Sequence, residues 1–463
     1  MSQISHIKYK DVIEAKRFDA DFFKPEYLEL REKLSNIKCN KIKSFIPSGK
    51  VITWHTPSKQ NDKFYWWNIN FIKTDNLREN YINHNFNDFL SELWNEEIKS
   101  SQLKKWDIIV TIIWASEKVV WRVSIVREED LPANINQNIA LIRVNPDLIN
   151  PDLLNIYLNS KYWRWYLHSI SRQTEQVNLN CKEVENVLVP IFNSKIQQSI
   201  SEIVQNAYNK KQLSKQLYQE AEDLLLTELW LKNHTVSHSL TFSTTKKEVD
   251  NAWRYDADYF QPKYDELIEK IEKYKWGWDY VENIFKHKKW YEPWAEAYTQ
   301  DGKDFIRVSD FTKFWIDWTD KKISEKLYDE LKWDYQAKKW EILFTKDWTI
   351  WITYVLKEDL EWIISSAFLR LNLKEKYENQ EKECLALILN SLVCSMQIER
   401  FSWWALISHL KPSDFEKIKI PLINPGLQKE ISNKIKESFK LRNESRELLE
   451  QAKKMVEDEI EKE

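Results

Sequence analysis

The chain has 463 residues, a formal net charge of −3, 30% charged residues and 43% hydrophobic ones. Two or three domains with real cores fit that length. Nowhere do about 18 apolar residues run together, and the start, MSQISHIKYKDV, lacks the apolar core of a signal peptide. These features argue against a membrane or secreted protein. Cys39, Cys181, Cys384 and Cys394 form no CxxC pair. That disfavours a zinc knuckle or a disulfide framework, so a cytoplasmic location is expected.

One number is abnormal. Glycine occurs 4 times and tryptophan 24 times, whereas average usage of ~7% glycine would give roughly thirty. Several tryptophans stand where a turn belongs. Lys105-Trp106-Asp107 and Lys339-Trp340-Glu341 each precede an apolar run, and Trp114 and Trp121 have counterparts in Trp348 and Trp351. Trp66-Trp67 and Trp403-Trp404 are adjacent pairs. Tight turns need positive φ, which glycine adopts easily and a bulky residue does not. The expectation is that most of these tryptophans stand for glycine, encoded by UGA codons read as glycine but written as tryptophan.

In chain order, residues 17–34 (RFDADFFKPEYLELREKL) lead into a short helix and recur as residues 254–271 (RYDADYFQPKYDELIEKI). The offset from Arg17 to Arg254 is 237 residues, about half the chain. A solenoid repeat is typically ~20–50 residues long, so this is a duplicated domain. Residues 35–126 alternate apolar runs and polar turns, as in NINFIKTDNL (68–77), DIIVTII (107–113) and VSIV (123–126), and read as strands. NQNIALIRV (136–144) is another strand. PDLLNIYLNSKYWRWYL (151–167) carries helical spacing, with Pro151 in the first turn. VENVLVPIF (184–192) closes the first half.

From 194 to about 232 the pattern becomes one long amphipathic helix, marked by Ile196, Ile200, Ile203, Leu217 and Leu224. Its ~38 residues would span roughly 57 Å. Residues 233–250 read as a polar linker rich in Ser and Thr. The second half then repeats the first, and a second long helix over 425–463 carries Leu427, Ile431, Ile435, Phe439 and Leu448. The expected fold class is α+β. Two homologous mixed α/β domains, 1–193 and 251–424, are separated by two long helices packed as an antiparallel coiled coil.

Catalytic motifs are missing. Gly49-Lys50 is followed by Val51 rather than Ser or Thr, so it is no P-loop. Asn145-Pro146-Asp147 and Asn424-Pro425-Gly426 lack the Pro-Pro-aromatic element of amino-methyltransferases. No H-E-x-x-H occurs, so metal hydrolysis has no signature. Glu97-Ile98-Lys99 resembles the end of a nuclease motif, but its counterpart near Leu331-Lys332 lacks it. The repeated aspartates Asp19/Asp21 and Asp256/Asp258 sit among Arg, Phe and Pro, and read as docking groups, with Asp21 or Asp258 capping the next segment. No catalytic residue and no metal ligand is assigned.

Local charge is more informative. Lys38, Lys41, Lys43, Lys50, Lys59, Lys63, Lys73 and Arg78 face only Asp62 and Asp75 over the same stretch. Lys286, Lys288, Lys289, Lys303, Arg307 and Lys313 occupy the equivalent place, but acids offset them. Basic, loop-rich stretches suit phosphate contacts. Lys50, Lys59, Lys63, Lys73, Arg78, Lys288, Lys289, Arg307 and Lys313 are therefore the candidate DNA-binding residues.

With the duplicated RxDAxxF segment, the KKxD/E-I turns at 104–108 and 338–342, the Ile418–Pro421 close and the long helices in view, the chain resembles the specificity subunit of type I restriction-modification systems. Reading tryptophan as glycine strengthens the resemblance. It implies two target-recognition domains that read a split, asymmetric site on double-stranded DNA. The helices would then be spacers and docking surfaces for two methyltransferase subunits, with restriction motor-nuclease subunits joining them. It implies no catalytic centre and no cofactor in this chain. S-adenosylmethionine, ATP and Mg would sit on the partners, and no membrane is involved. The alternatives are a detached recognition module of a single-chain restriction-methylation enzyme, an orphan specificity protein, or a coiled-coil scaffold that binds no DNA.

Overall fold

The structure is a computed structural model. It describes all residues except 1–3, 16–17, 19, 55–64, 115–121, 171–176, 233, 235–237, 289–291, 293–294, 300, 315–318, 320, 348–350, 402–409 and 463. Arg17, Asp19, Lys59, Lys63, Trp121, Lys289, Trp348, Trp403 and Trp404, and the side chains of Asp21, Trp66, Trp67 and Trp114, lie outside the described set. The chain divides into two compact units. One holds residues 1–210 with 443–463, and the other holds 211–442.

In the first unit the strand Ile108–Thr111 lies between Ile139–Ile142 and Val123–Ile125, antiparallel to both. All four of its residues are buried. A continuous apolar run of this kind suits a strand covered on both faces. A second sheet pairs Tyr65–Ile72 with Ala133–Ile135 in parallel. The second unit repeats this order. Ile342–Thr345 lies between Phe368–Leu373 and Thr353–Val355, again antiparallel, and Lys303–Ile306 pairs in parallel with Trp362–Ile364. Each half closes on a proline-ended strand. Leu188–Pro190 pairs with Cys39–Lys41, and Lys419–Pro421 pairs with Trp278–Tyr280.

Two long helices follow these strands, a central one over Ser194–Glu228 and a terminal one over Pro425–Lys462. Their starts are built alike. Asn193 accepts from the Ile196 amide and Asn424 from the Leu427 amide, so each asparagine caps its helix. Gln197 donates to the Phe192 carbonyl and accepts from the Asn150 amide. Gln428 does the same with Ile423 and Glu381. These pairs share one 231-residue offset, as from Gln197 to Gln428.

Each core takes in both helices. In the first unit Ile200 and Val204, near the start of the central helix, share a cluster with Ala452, Val456 and Ile460, near the end of the terminal one. In the second, Ile431 and Ile435 share a cluster with Ala221, Leu225 and Leu229. Small residues let the backbones approach. Ser445 donates to the Ala207 carbonyl at 2.7 Å in the first unit, and Ser438 donates to the Ser214 carbonyl at 2.7 Å in the second. Within each unit the helices run antiparallel. The ion pairs Lys210–Glu444 and Lys434–Glu220 flank these contacts; as partly exposed pairs they add little.

Several expectations change. The stretch 151–167 is two helices, Pro151–Tyr157 and Lys161–Ile170. Buried Asn159 and Ser160 break it by bonding to the carbonyls of Asn155 and Tyr157. The linker assigned to 233–250 contains the start of a helix, Lys246–Ala252, nucleated by a capping box between Thr245 and Glu248. Asp258 caps nothing: the helix Pro262–Glu272 begins after Gln261, with no side-chain cap. Asp256 instead holds Arg254 through two hydrogen bonds of 2.6 and 2.7 Å.

A chain ending at residue 451 is expected to lose amide protection at Ile108–Thr111 and Ile139–Ile142, far away in sequence, because Ala452, Val456 and Ile460 leave that core. Hydrogen exchange reads this directly. Leu225→Ala is expected to destabilise the second unit by about 2–5 kcal/mol in denaturant titration.

Candidate nucleic-acid interface

The loops of each half hang from a buried acid set in a tight turn. In the first half, residues 104–107 close a turn through the Asp107 amide and the Lys104 carbonyl, with Trp106 at φ +73°. Asp107 points inward. Its carboxylate accepts from Arg143 Nε at 2.8 Å and Nη2 at 2.6 Å, and from the Lys104 amide at 2.7 Å. In the second half, residues 338–341 close the same turn with Trp340 at φ +70°. Glu341 accepts from Arg370 Nε at 2.9 Å and Nη2 at 3.2 Å, from Asn372 at 2.9 Å and from the Lys338 amide at 2.9 Å.

The two acids titrate differently. Burial pushes the Asp107 carboxyl up, and Arg143 only partly offsets it. Burial also pushes Glu341 up, but the bonds from Arg370, Asn372 and the Lys338 amide outweigh it and hold this carboxyl below the usual range. The extra donor, Asn372, is the visible difference.

The hairpin-like loops before these turns are also pinned. The Lys73 amide bonds to Asn76 and the Arg307 amide to Asp310, each at 2.9 Å, in matching capping boxes. Four candidate DNA-binding residues are occupied here. Lys73 pairs with Asp88 and sits over Phe71. Arg78 donates to the carbonyls of Asp75 and Leu77. Arg307 pairs with Asp310 at 3.3 Å. Lys313 lies 4.7 Å from the Tyr218 ring centre, and burial pulls its ammonium below the usual lysine range. Lys288 is exposed at 3.5 Å from Glu341. Lys50 is exposed and makes no ion pair among the described residues. Its neighbours in sequence, Lys41 and Lys43, are exposed too, as is Lys286 in the second half.

Among the ten residues assigned to the helix surfaces, Ile200, Ile431 and Ile435 are buried. Ile196 and Ile203 pack at the edge of the first cluster, and Leu224, Leu427 and Phe439 at the edge of the second. Leu217 and Leu448 are half-buried. Among the described residues no group of three His, Cys, Asp or Glu could hold a metal. Lys99 of the Glu97-Ile98-Lys99 triplet pairs with Glu96. Among the described residues no single helix is long and apolar enough to cross a membrane. One bent pair among the described residues, Lys382–Asn390 with Leu392–Phe401, has the length and composition together, but it is mostly buried in the second core. The Arg143 and Arg370 clamps were missed in the sequence, and aligning the strands does not reveal them: Ile142 pairs with Ile108 and Leu371 with Ile342, so Arg143 matches Asn372 while Arg370 stands two residues earlier on its strand.

No protein-family model matches the chain. A curated relative, the type I restriction enzyme EcoBI specificity subunit of Escherichia coli, is 24% identical over 188 residues, 40% of this chain. The chain is similar to the specificity subunits of type I restriction-modification systems. The match spans 36% of that curated relative's length. Solved structures alike in coverage include the type I S subunit from M. genitalium, 13% identical, covering 91% of this chain and 96% of that one at a TM-score of 0.38. The HsdS subunit from Thermoanaerobacter tengcongensis is 13% identical and covers 91% and 95% at 0.28. A structure described as the complex assembly and conformational transition of the type I R-M system is 12% identical and covers 92% and 96% at 0.30.

The acid clamps should make the two halves of this S-subunit-like chain respond oppositely to pH. Glu341 has a lowered carboxyl in the folded state. Its stabilisation is full above the unfolded carboxylate range and is lost as pH falls through the folded value. Asp107 has a raised one, so its contribution is full at low pH and fades as pH rises. Hydrogen exchange across an acid series is expected to show Ile342–Thr345 opening first, and Glu341→Gln to flatten that limb. Arg370→Leu takes away the buried partner of the carboxylate and leaves it only Asn372, the Lys338 amide and the exposed Lys288, and is expected to cost about 3–5 kcal/mol in urea.

Proposed function

We propose that the chain is a DNA-reading specificity subunit with two heads and no chemistry of its own. The observation that carries this reading is the duplication. Each half repeats the turn, the buried acid and the helix start, and each holds its acid with an arginine from the neighbouring strand, though from positions two residues apart, while the loops between these supports differ in sequence. Two rigid frames with unlike loops suit two unlike half-sites. Half-sites about one helical turn apart, near ~34 Å, present their major grooves on the same face. Base edges would be read by Arg, Lys, Asn or Gln, and phosphates by exposed lysines that add salt-dependent affinity. The long helices would dock two methyltransferase subunits that carry S-adenosylmethionine, with motor-nuclease subunits that use ATP and Mg joining them. Such a subunit works in the cytoplasm, on double-stranded DNA.

Lys73, Arg78, Arg307 and Lys313 support their loops in this reading rather than contact DNA. Lys50 is the better phosphate ligand. Lys50→Ala is expected to weaken DNA binding about equally across sequences and to reduce the salt slope by about 1. Lys73→Ala instead is expected to loosen the loop with little change in that slope.

The deciding experiment expresses the chain with its methyltransferase partner and maps methylated adenines across a host genome. A bipartite methylated motif is expected. A folded complex that methylates no such motif would sink the proposal. Grafting residues 1–193 from a relative is expected to change one half of the motif only.

A further inference from the structure

The backbone marks which tryptophans are out of place. Among the described residues six that are not glycine have positive φ, and five of them are tryptophan: Trp106, Trp230, Trp253, Trp340 and Trp351, with φ from 51° to 73°. The sixth is Asn80, a residue type that tolerates this region. Tryptophan makes up 24 of 463 residues, so chance would put fewer than one there. Three of the four glycines, Gly49, Gly277 and Gly302, have positive φ as well. The five tryptophans therefore occupy the backbone niche that this chain's glycines occupy.

Each niche has its own geometry. Trp106 and Trp340 are third residues of turns closed by Asp107 to Lys104 and Glu341 to Lys338. Their φ is positive while the preceding residue's is not, and that combination calls for glycine. Trp230 follows the end of the central helix. Its amide bonds to the Thr227 carbonyl and the next amide, Leu231, to the Leu226 carbonyl at 2.7 Å. That double closure is the Schellman motif, whose left-handed residue is usually glycine. Trp253 is the left-handed cap of Lys246–Ala252. Trp351 turns the hairpin between Ile342–Thr345 and Thr353–Val355. Trp230 and Trp253 are 61% and 85% exposed, so nothing pulls those indoles inward, whereas the Trp106 ring packs at the edge of the first core, 4.6 Å from the Arg127 guanidinium.

We infer that the native polypeptide carries glycine at positions 106, 230, 253, 340 and 351, inserted at UGA codons read as glycine. The inference stands apart from the functional proposal and changes how the surface is read. The exposed indoles at 230, 253, 340 and 351 then offer no aromatic platform for stacked bases or a partner, and recognition falls to the polar and basic loops.

Peptide mass spectrometry of the protein purified from its source cells tests this. Glycine is expected at all five positions, and tryptophan at 106 and 340 would overturn the inference. A second measurement isolates the backbone. Alanine and glycine both remove the indole, but only glycine removes the cost of Cβ at positive φ. W230G and W340G are expected to exceed W230A and W340A in folded-to-unfolded ratio by about 5- to 30-fold each. Equal stability of the glycine and alanine variants would count against it.

Discussion

The fold depends on how its two long helices are spent. Each helix starts in one core and finishes in another. Ile200 and Val204 begin in the cluster that Ala452, Val456 and Ile460 complete, and Ile431 and Ile435 begin in the one that Ala221, Leu225 and Leu229 complete. The equivalence is residue by residue, since the same 231-residue offset takes Ile200 to Ile431 and Ala221 to Ala452. Neither core is made of contiguous sequence. The hydrophobic effect that holds the first unit together is drawn from both ends of the chain, so folding of either unit requires both helices.

On that frame the loops are held by local polar devices. A carboxylate left alone in a core would cost several kcal/mol. Asp107 and Glu341 avoid this by taking a two-point arginine contact and a backbone amide. Arginine suits this role because its planar fork matches a carboxylate. The clamp ties the turn to the strand beside it. Sequence can then vary in the loops without loosening their supports, as the proposed reading of two unlike half-sites would require.

Much of this was legible. The repeat of RFDADFF as RYDADYF gave the duplication, the 3.6-residue stripe gave the long helices, and the apolar runs gave the central strands, because each is a local pattern. The candidate site was less legible. Lys73, Arg78, Arg307 and Lys313 looked like free basic charge, yet each is committed to a carboxylate, a carbonyl or an aromatic ring in its own unit. Sequence counts charges but does not show which are already paired. The helix at 246–252 was hidden by its polar composition, although Thr245 and Glu248 carried its capping signal.

By itself the sequence determined the number of halves, their order and their strand and helix content, since these follow from spacing along one chain. It also exposed the anomaly of too little glycine. Only the tertiary structure decided which end of which helix fills which core, and that the tryptophans at 106, 230, 253, 340 and 351 stand at positive φ. The reason is physical. A stripe of apolar residues specifies that a face is buried but not its partner, and φ is set by the path the chain must take to close a turn.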